Sequence, residues 1–301
     1  MSSKSAVVWA HLGLFAAAAF YAGNFTIAKL VMPTYIAPFG FIVLRVVAAA
    51  ILFFITHRLF VRQRVERADI PRLMLCALTG VAANQLFFFK GLSLTTPIHG
   101  ALIMLTTPIL VLISATFLLG ERVTWQKILG VMIGLSGAVL LVLSNHSPTI
   151  NAENPVLGDI FVALNAASYS IYLIVVKPLM QKYNAITVLL WVFGIGTFMV
   201  VPIGGAEVLA IDWANLPTYI LWSIGYILFC VTFLTYLFNT AALRIISPSV
   251  VSSYIYLQPL LTAIIALFTK QDSVNLSLLF SGLLIFLGVY LSSRPAKIAT
   301  N

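Results

Sequence analysis

Charge is what this sequence has least of. Lys, Arg, Asp and Glu together make up 8% of its 301 residues, and only 8 of them are acids. A soluble chain of this length uses about a quarter of its residues as charges to coat its surface, so a water-exposed globule is excluded. No stretch is polar enough to form a separate soluble domain. Cysteine is nearly absent as well. Cys76 and Cys230 both lie inside apolar runs, the setting of small core residues rather than of a disulfide or a thiolate metal site. CxxC, HExxH, GxSxG and phosphate-loop patterns do not occur. Nor is there a paired His, Cys or carboxylate set within the apolar runs, so the sequence offers no metal site, no cofactor site and no acid–base machinery for an enzyme.

Apolar residues are abundant: 61% of the chain is hydrophobic and its mean hydropathy is +1.06. Lipid as the main solvent accounts for this, because lipid-facing side chains are apolar. Runs of spanning length occur at about 6–31, 37–57, 71–93, 97–119, 124–144, 157–179, 186–206, 217–240, 248–269 and 275–293. The first run imitates a secretory signal, with Lys4, an apolar stretch and Ala16–Ala19. It continues to Met32, long enough to span, and reads as a retained helix. Breakers mark the ends. Thr95-Thr96-Pro97 and Ser247-Pro248 place a hydroxyl before a proline suited to a first turn.

The net charge of +9 would suggest nucleic acid in a soluble protein; here Lys and Arg mark cytoplasmic loops instead. Arg58, Arg62, Arg64, Arg67 and Arg72 crowd the second connection. With that loop inside, Lys4, Arg122, Lys127, Lys177, Lys182, Arg244, Arg294 and Lys297 fall on the same side, making 13 of the 17 basic residues. Glu153, Asp159, Glu207, Asp212 and Asp272 fall on the other, with Lys29, Lys90 and Lys270. The expectation is a multi-pass protein of the inner (plasma) membrane with both termini cytoplasmic.

The chain repeats itself. A shift of 151 residues pairs Leu92 with Leu243, Pro97 with Pro248, Pro108 with Pro259, Glu121 with Asp272 and Gly137 with Gly288. A shift of 148 pairs Tyr21 with Tyr169 and Lys29 with Lys177. The fold class expected is therefore an all-α integral membrane protein of ten transmembrane helices. Residues 1–146 form the first five-helix repeat, and residues 147–301 the second with a short tail. Five is odd, so the halves enter the membrane inverted, an arrangement suited to alternating access because the halves can exchange roles.

Polar groups inside spans point to an interior cavity, since an amide hidden from water needs a partner. Asn24, Asn84, Asn165 and Gln258 are the amides chosen as cavity-lining, with Tyr169 and Tyr172 lying mid-helix rather than at an interface. Gln85, Asn239, Tyr254 and Tyr256 also fall within spans. Pro108 and Pro259, read as mid-helix, are candidates for helix bends or gating. Arg45 lies about eight residues into the second run, ~12 Å deep, with no acid at matching depth. A structural tie to backbone carbonyls and a seat for a substrate carboxylate are both open readings. Glu121 reads as a solvated turn residue, and His11 and His99 as incidental groups near helix ends.

Ala22-Gly23-Asn24-Phe25 followed by Lys29 resembles the first helix of EamA-type proteins of the drug/metabolite transporter superfamily. Arg45 after Pro38 resembles the second helix. Gly91-Leu92, Pro97, Pro108 and Leu119-Gly120-Glu121 resemble the region from helix 3 to helix 5. Gly158-Asp159 opens helix 6 as in many members, Pro259 with Asp272 echoes the second copy, and Lys270-Gln271-Asp272 departs from a frequent Gly-Glu pair. The resemblance covers residues 8 to 293 and implies a ten-helix bundle with a central cavity. By it, the chain is a secondary transporter (exporter, uniporter or exchanger) of amino acids or related small metabolites. The alternative is a nucleotide-sugar or sugar-phosphate carrier; a membrane-embedded enzyme or a non-transporting scaffold rank lower. The partners expected are a small-molecule solute and membrane lipid, with no nucleic acid, in a monomer or homodimer.

The charge asymmetry makes a topological prediction. With Cys76 and Cys230 replaced, a single cysteine at Ser147 should react with an impermeant maleimide in intact cells. One at Ser293 should not; the opposite pattern would invert the orientation.

Overall fold

The computed structural model describes residues 3–32, 34–95, 97–121, 123–144, 154–268 and 276–293. Lys270-Gln271-Asp272, most of the 145–156 loop, Arg122, Arg294 and Lys297 lie outside them. Among the described residues, 10 helices are long and apolar enough to cross a membrane. They are α1 (Ser3–Val31), α2 (Pro38–Val61), α3 (Arg67–Leu94), α4, α5 (Trp125–Ser144), α6 (Pro155–Lys182), α7 (Ala185–Leu209), α8 (Thr218–Ala242), α9 and α10 (Leu276–Ser293). Two of them are interrupted. α4 is split into α4a (Pro97–Met104) and α4b (Thr107–Leu119), and α9 into α9a (Pro248–Ser253) and α9b (Leu257–Phe268) joined by a 3-10 turn.

Helix ends follow local chemistry. Asn154 and Asn184 cap α6 and α7, their Oδ1 atoms accepting from Leu157 N (3.2 Å) and Ile186 N (3.0 Å). Gly120 ends α4b at φ 63°, a left-handed position that glycine takes without a Cβ penalty. Ser247 stands at the N-cap of α9a before Pro248, but its hydroxyl makes no capping bond. Thr95 donates its hydroxyl to Asp159 Oδ1 instead (2.5 Å). Glu121 is a correction to the sequence reading. Rather than being solvated, it pairs with Lys127 Nζ at 2.5 Å, and both side chains are about nine-tenths buried.

The packing has the symmetry of the sequence repeat. α2 packs on α7 and α5 on α10, pairs that the repeat maps onto themselves. The contact of α3 with α6 is mirrored by that of α8 with α1, and that of α4b with α6 by that of α9b with α1. One apolar core joins mainly α2, α3, α6, α7 and α8; another joins α5, α9 and α10 with parts of α1 and α4. The α5–α10 seam depends on close backbone approach: a Cβ on Gly288 would run into the backbone of Gly134, and one on Gly130 into Ser292. Small residues allow this where lipid supplies no hydrophobic drive between helices.

Gly288→Leu should therefore lower the thermal transition of the purified protein, overpacking of this kind costing about 1–3 kcal/mol or more. Gly225→Leu, where an added Cβ meets nothing within 4 Å, serves as the control and should leave the transition unchanged.

Candidate functional site

Two of the helices carry π-helical stretches at positions related by the repeat, Leu78–Ala82 in α3 and Ile227–Leu234 in α8. A wide turn disturbs the regular bonding ladder, and in lipid the affected groups need partners from within the protein. In α3, the carbonyl of Thr79 accepts from Ser168 Oγ (2.7 Å) and that of Gly80 from Tyr236 Oη (3.0 Å). In α8, Thr232 Oγ1 donates to Ile227 O (2.9 Å) and Thr235 Oγ1 to Cys230 O (3.0 Å). These bonds tie α3, α6 and α8 around a central space and aim Thr232 toward α2.

That space is a cavity of about 120 Å³, where ~10–15 Å³ suffices to admit one water. Seven of the ten spans line it, and α5, α7 and α10 stay outside. α1 contributes Tyr21 and Asn24, and α2 contributes Arg45. From α3 come Asn84, Gln85, Phe88 and Phe89, and from α6 come Asn165 and Tyr169. α8 adds Tyr236 and Asn239, while the interrupted helices add Met104, Tyr254, Ile255 and Gln258.

Arg45 is 5% exposed. Its Nε donates to Thr232 Oγ1 at 3.0 Å, and its guanidinium carbon lies 5.9 Å from the centre of the Phe89 ring. No ion pair joins it to an acid among the described residues. Around it are buried amide oxygens without hydrogen-bond partners: Asn24 Oδ1, Asn165 Oδ1 and Gln85 Oε1. Each such group costs about 1–3 kcal/mol if left unsatisfied, so the cavity is built to receive polar atoms. The other end of Asn165 is committed, its Nδ2 donating to Asn84 O (2.6 Å).

Six of the seven residues chosen from the sequence thus line one cavity: Asn24, Arg45, Asn84, Asn165, Tyr169 and Gln258. Tyr172 does not. It is 1% exposed, its ring pressed over Gly80 and its hydroxyl 2.9 Å from Thr240 Oγ1. Three residues from Tyr169 and stacked against it at 6.0 Å, it is turned into the α6–α8 contact. Sequence reasoning passed over Tyr21 and Tyr236, yet the repeat held a signal for the second, because the 151-residue shift pairs Gln85 with Tyr236 and Phe88 with Asn239. His11 also proves connected, its Nδ1 lying 2.7 Å from Tyr254 Oη.

Pro108 and Pro259 are not in the middle of continuous helices. Each sits in the first turn of the second segment, α4b and α9b, just past the interruption. Without an N–H they deny a helical bond to the carbonyl four residues earlier, which is that of Met104 and of Ile255, both on the cavity wall. The helix pairs around these breaks depart from the symmetry of the rest. α4b packs on α9a, whereas no comparable contact joins α4a and α9b among the described residues. The α4b–α9a contact lies toward the basic end of the bundle.

Broken helices at matching positions of two inverted halves, meeting at a polar pocket, are the architecture of a secondary transporter. The known proteins to which the chain is similar are of the same kind. An uncharacterized transporter of Bacillus subtilis (strain 168), YyaM, is 22% identical over 251 residues, 83% of this chain and 82% of that protein. A probable terminal-alkyne amino-acid exporter of Streptantibioticus cattleyicolor is 28% identical over 142 residues, 47% of this chain and 46% of that one. A solved crystal structure shares the fold at a TM-score of 0.77 and 16% identity, covering 94% of this chain and 96% of the other. The EamA-like transporter family matches twice, over residues 8–143 and 156–294, once for each half of the bundle, and the chain belongs to that family.

Proposed function

We propose that this secondary transporter carries amino acids or closely related small metabolites by alternating access, with Arg45 receiving the substrate carboxylate. The carrying observation is the pairing of a buried guanidinium that has no acid partner among the described residues with unpartnered amide oxygens across the same cavity. A planar donor fork suits a carboxylate, and acceptors such as Asn24 Oδ1 and Asn165 Oδ1 suit an ammonium. Tyr21, Phe88 and Tyr169 leave an apolar wall for a side chain. The amino-acid exporter named above supports the same substrate class. A sugar-phosphate or nucleotide-sugar carrier fits less well, because Arg45 is the only cationic side chain on the cavity wall among the described residues.

In this reading, both termini are cytoplasmic and the parted end, between α4a and α9b, faces outward. Transport exchanges the α4b–α9a contact for its mirror image between α4a and α9b, with Pro108 and Pro259 at the two breaks. Solute moves by uniport or exchange without obligatory proton coupling. The support is that the acids near the membrane, Asp69, Glu121, Asp159 and Glu207, are all at helix ends with partners there.

In proteoliposomes, Arg45→Lys should keep the fold and raise the KM for a carboxylate-bearing substrate roughly 10–100-fold, the worth of a charge-assisted bidentate pair. Amidated analogues should compete poorly against wild type. Unchanged kinetics in a monodisperse Arg45→Gln protein would rule out the binding role. An imposed pH difference alone should not drive substrate accumulation above the external concentration, and accumulation under that gradient would contradict uncoupled transport.

A further inference from the structure

Away from the transport cavity, a groove of about 570 Å³ lies on the outside of the bundle between the end of α2 and the start of α7. Its walls change character along its length. Trp191, Gly194, Ile195 and Phe198 of α7 form an apolar floor, and His57, Gln63 and Arg64 form a polar mouth at the basic end. From Ala185 to Phe198 α7 rises roughly 20 Å, which covers the headgroup level and most of one ~15 Å hydrocarbon leaflet. Phe198 is 82% and Trp191 37% exposed by protein. Gly194 leaves a gap, since a Cβ there would meet nothing within 4 Å.

The mouth is held rigidly. α2 ends in a π-helical turn, His57–Val61, and Arg62 takes a left-handed conformation (φ 50°) that turns the chain back toward α7. Gln63 then locks onto the α6–α7 junction. Its Oε1 accepts from Asn184 N (2.8 Å) and Thr187 Oγ1 (3.2 Å), and its Nε2 donates to Lys182 O (3.3 Å). Arg64, the next residue, is exposed at the rim and pairs with no acid among the described residues. Arg58, Arg62, Arg67 and Arg72 lie nearby in sequence, opposed by Glu66 and by Asp69. Asp69 is already paired with Lys182 Nζ (3.1 Å) and accepts a hydrogen bond from Tyr183 Oη (2.7 Å). The mouth is therefore cationic, and the groove below it is apolar.

We propose that this groove binds one anionic phospholipid from the leaflet at the basic end of the bundle. The phosphate sits at Arg64 beside the indole of Trp191, and an acyl chain lies in the Gly194 gap against Phe198. The charge complements an anionic headgroup, and the depth calls for a molecule with a hydrocarbon tail, which free phosphate lacks. Interfacial tryptophan suits the boundary between the two.

The test uses delipidated full-length protein in detergent, its thermal transition measured with added dioleoylphosphatidylglycerol, dioleoylphosphatidylcholine or inorganic phosphate. Phosphatidylglycerol should raise the midpoint by ~3 °C or more above phosphatidylcholine, as a ligand specific to the native state does. Arg64→Gln and Gly194→Leu should each remove at least about half of that increment while leaving the midpoint in phosphatidylcholine unchanged. Arg72→Gln should retain it. Equal shifts with both lipids would overturn the proposal. So would an equal shift with phosphate alone, an equal loss in Arg72→Gln, or an undiminished increment in both groove variants.

Discussion

In a lipid solvent a backbone amide or carbonyl finds no partner outside the chain, and the rest of this structure depends on that constraint. Regular helices meet it along most of the bundle. The departure in α3 is met by side chains of other helices and that in α8 by its own threonines, while those in α4 and α9 lie at the cavity. Thr79 and Gly80 lend their carbonyls to Ser168 and Tyr236. Thr232 and Thr235 reach back to carbonyls five residues earlier. The wide turns themselves contribute no lining residue, but through Thr232 one of them holds Arg45, which does.

Arg45 follows from the same reasoning. A guanidinium at this depth costs several kcal/mol on insertion scales. The Thr232 hydroxyl and the Phe89 ring offset part of that without neutralising the charge. An acid partner would have stabilised the fold further, but it would also have occupied the donor fork. The unpaired amide oxygens of Asn24, Asn165 and Gln85 carry the same trade. Stability given up around one small cavity supports the proposal that these residues receive a polar solute rather than serve packing alone.

The two ends of the bundle are held differently. At the basic end, Lys177 Nζ donates to the carbonyls of Leu243 and Ile246, Lys182 binds Asp69, Lys127 binds Glu121, and α4b meets α9a. At the other end, Glu207 accepts from Gly40 N and Asp159 from Thr95, but these bonds join α7 to α2 and α6 to α3 rather than closing the interrupted helices on each other. Inverted symmetry makes the contrast meaningful: each end has one of two repeat-related pairs of half-helices, and among the described residues α4b packs on α9a with no comparable contact between α4a and α9b.

Much of this was legible from residue order alone. Apolar run lengths set by bilayer thickness gave the ten spans to within a few residues, and odd span number with the 151-residue repeat gave the inverted halves. Burial cost singled out Arg45 and the amides, because a polar side chain in an apolar run has few places to point. Direction around a helix was not legible. α6 is apolar on nearly all sides, so nothing in its pattern could place Tyr169 on the cavity and Tyr172 against Thr240. Nor does sequence carry a signature for the π-helical turns, or show that Glu121 and Lys127, six residues apart, are buried together, since burial is set by the helices packed around them. Local composition decides that a segment spans, because solvation acts on each helix separately. Which faces meet is decided only when distant helices pack together, because the partners of a buried polar side chain come from other parts of the chain.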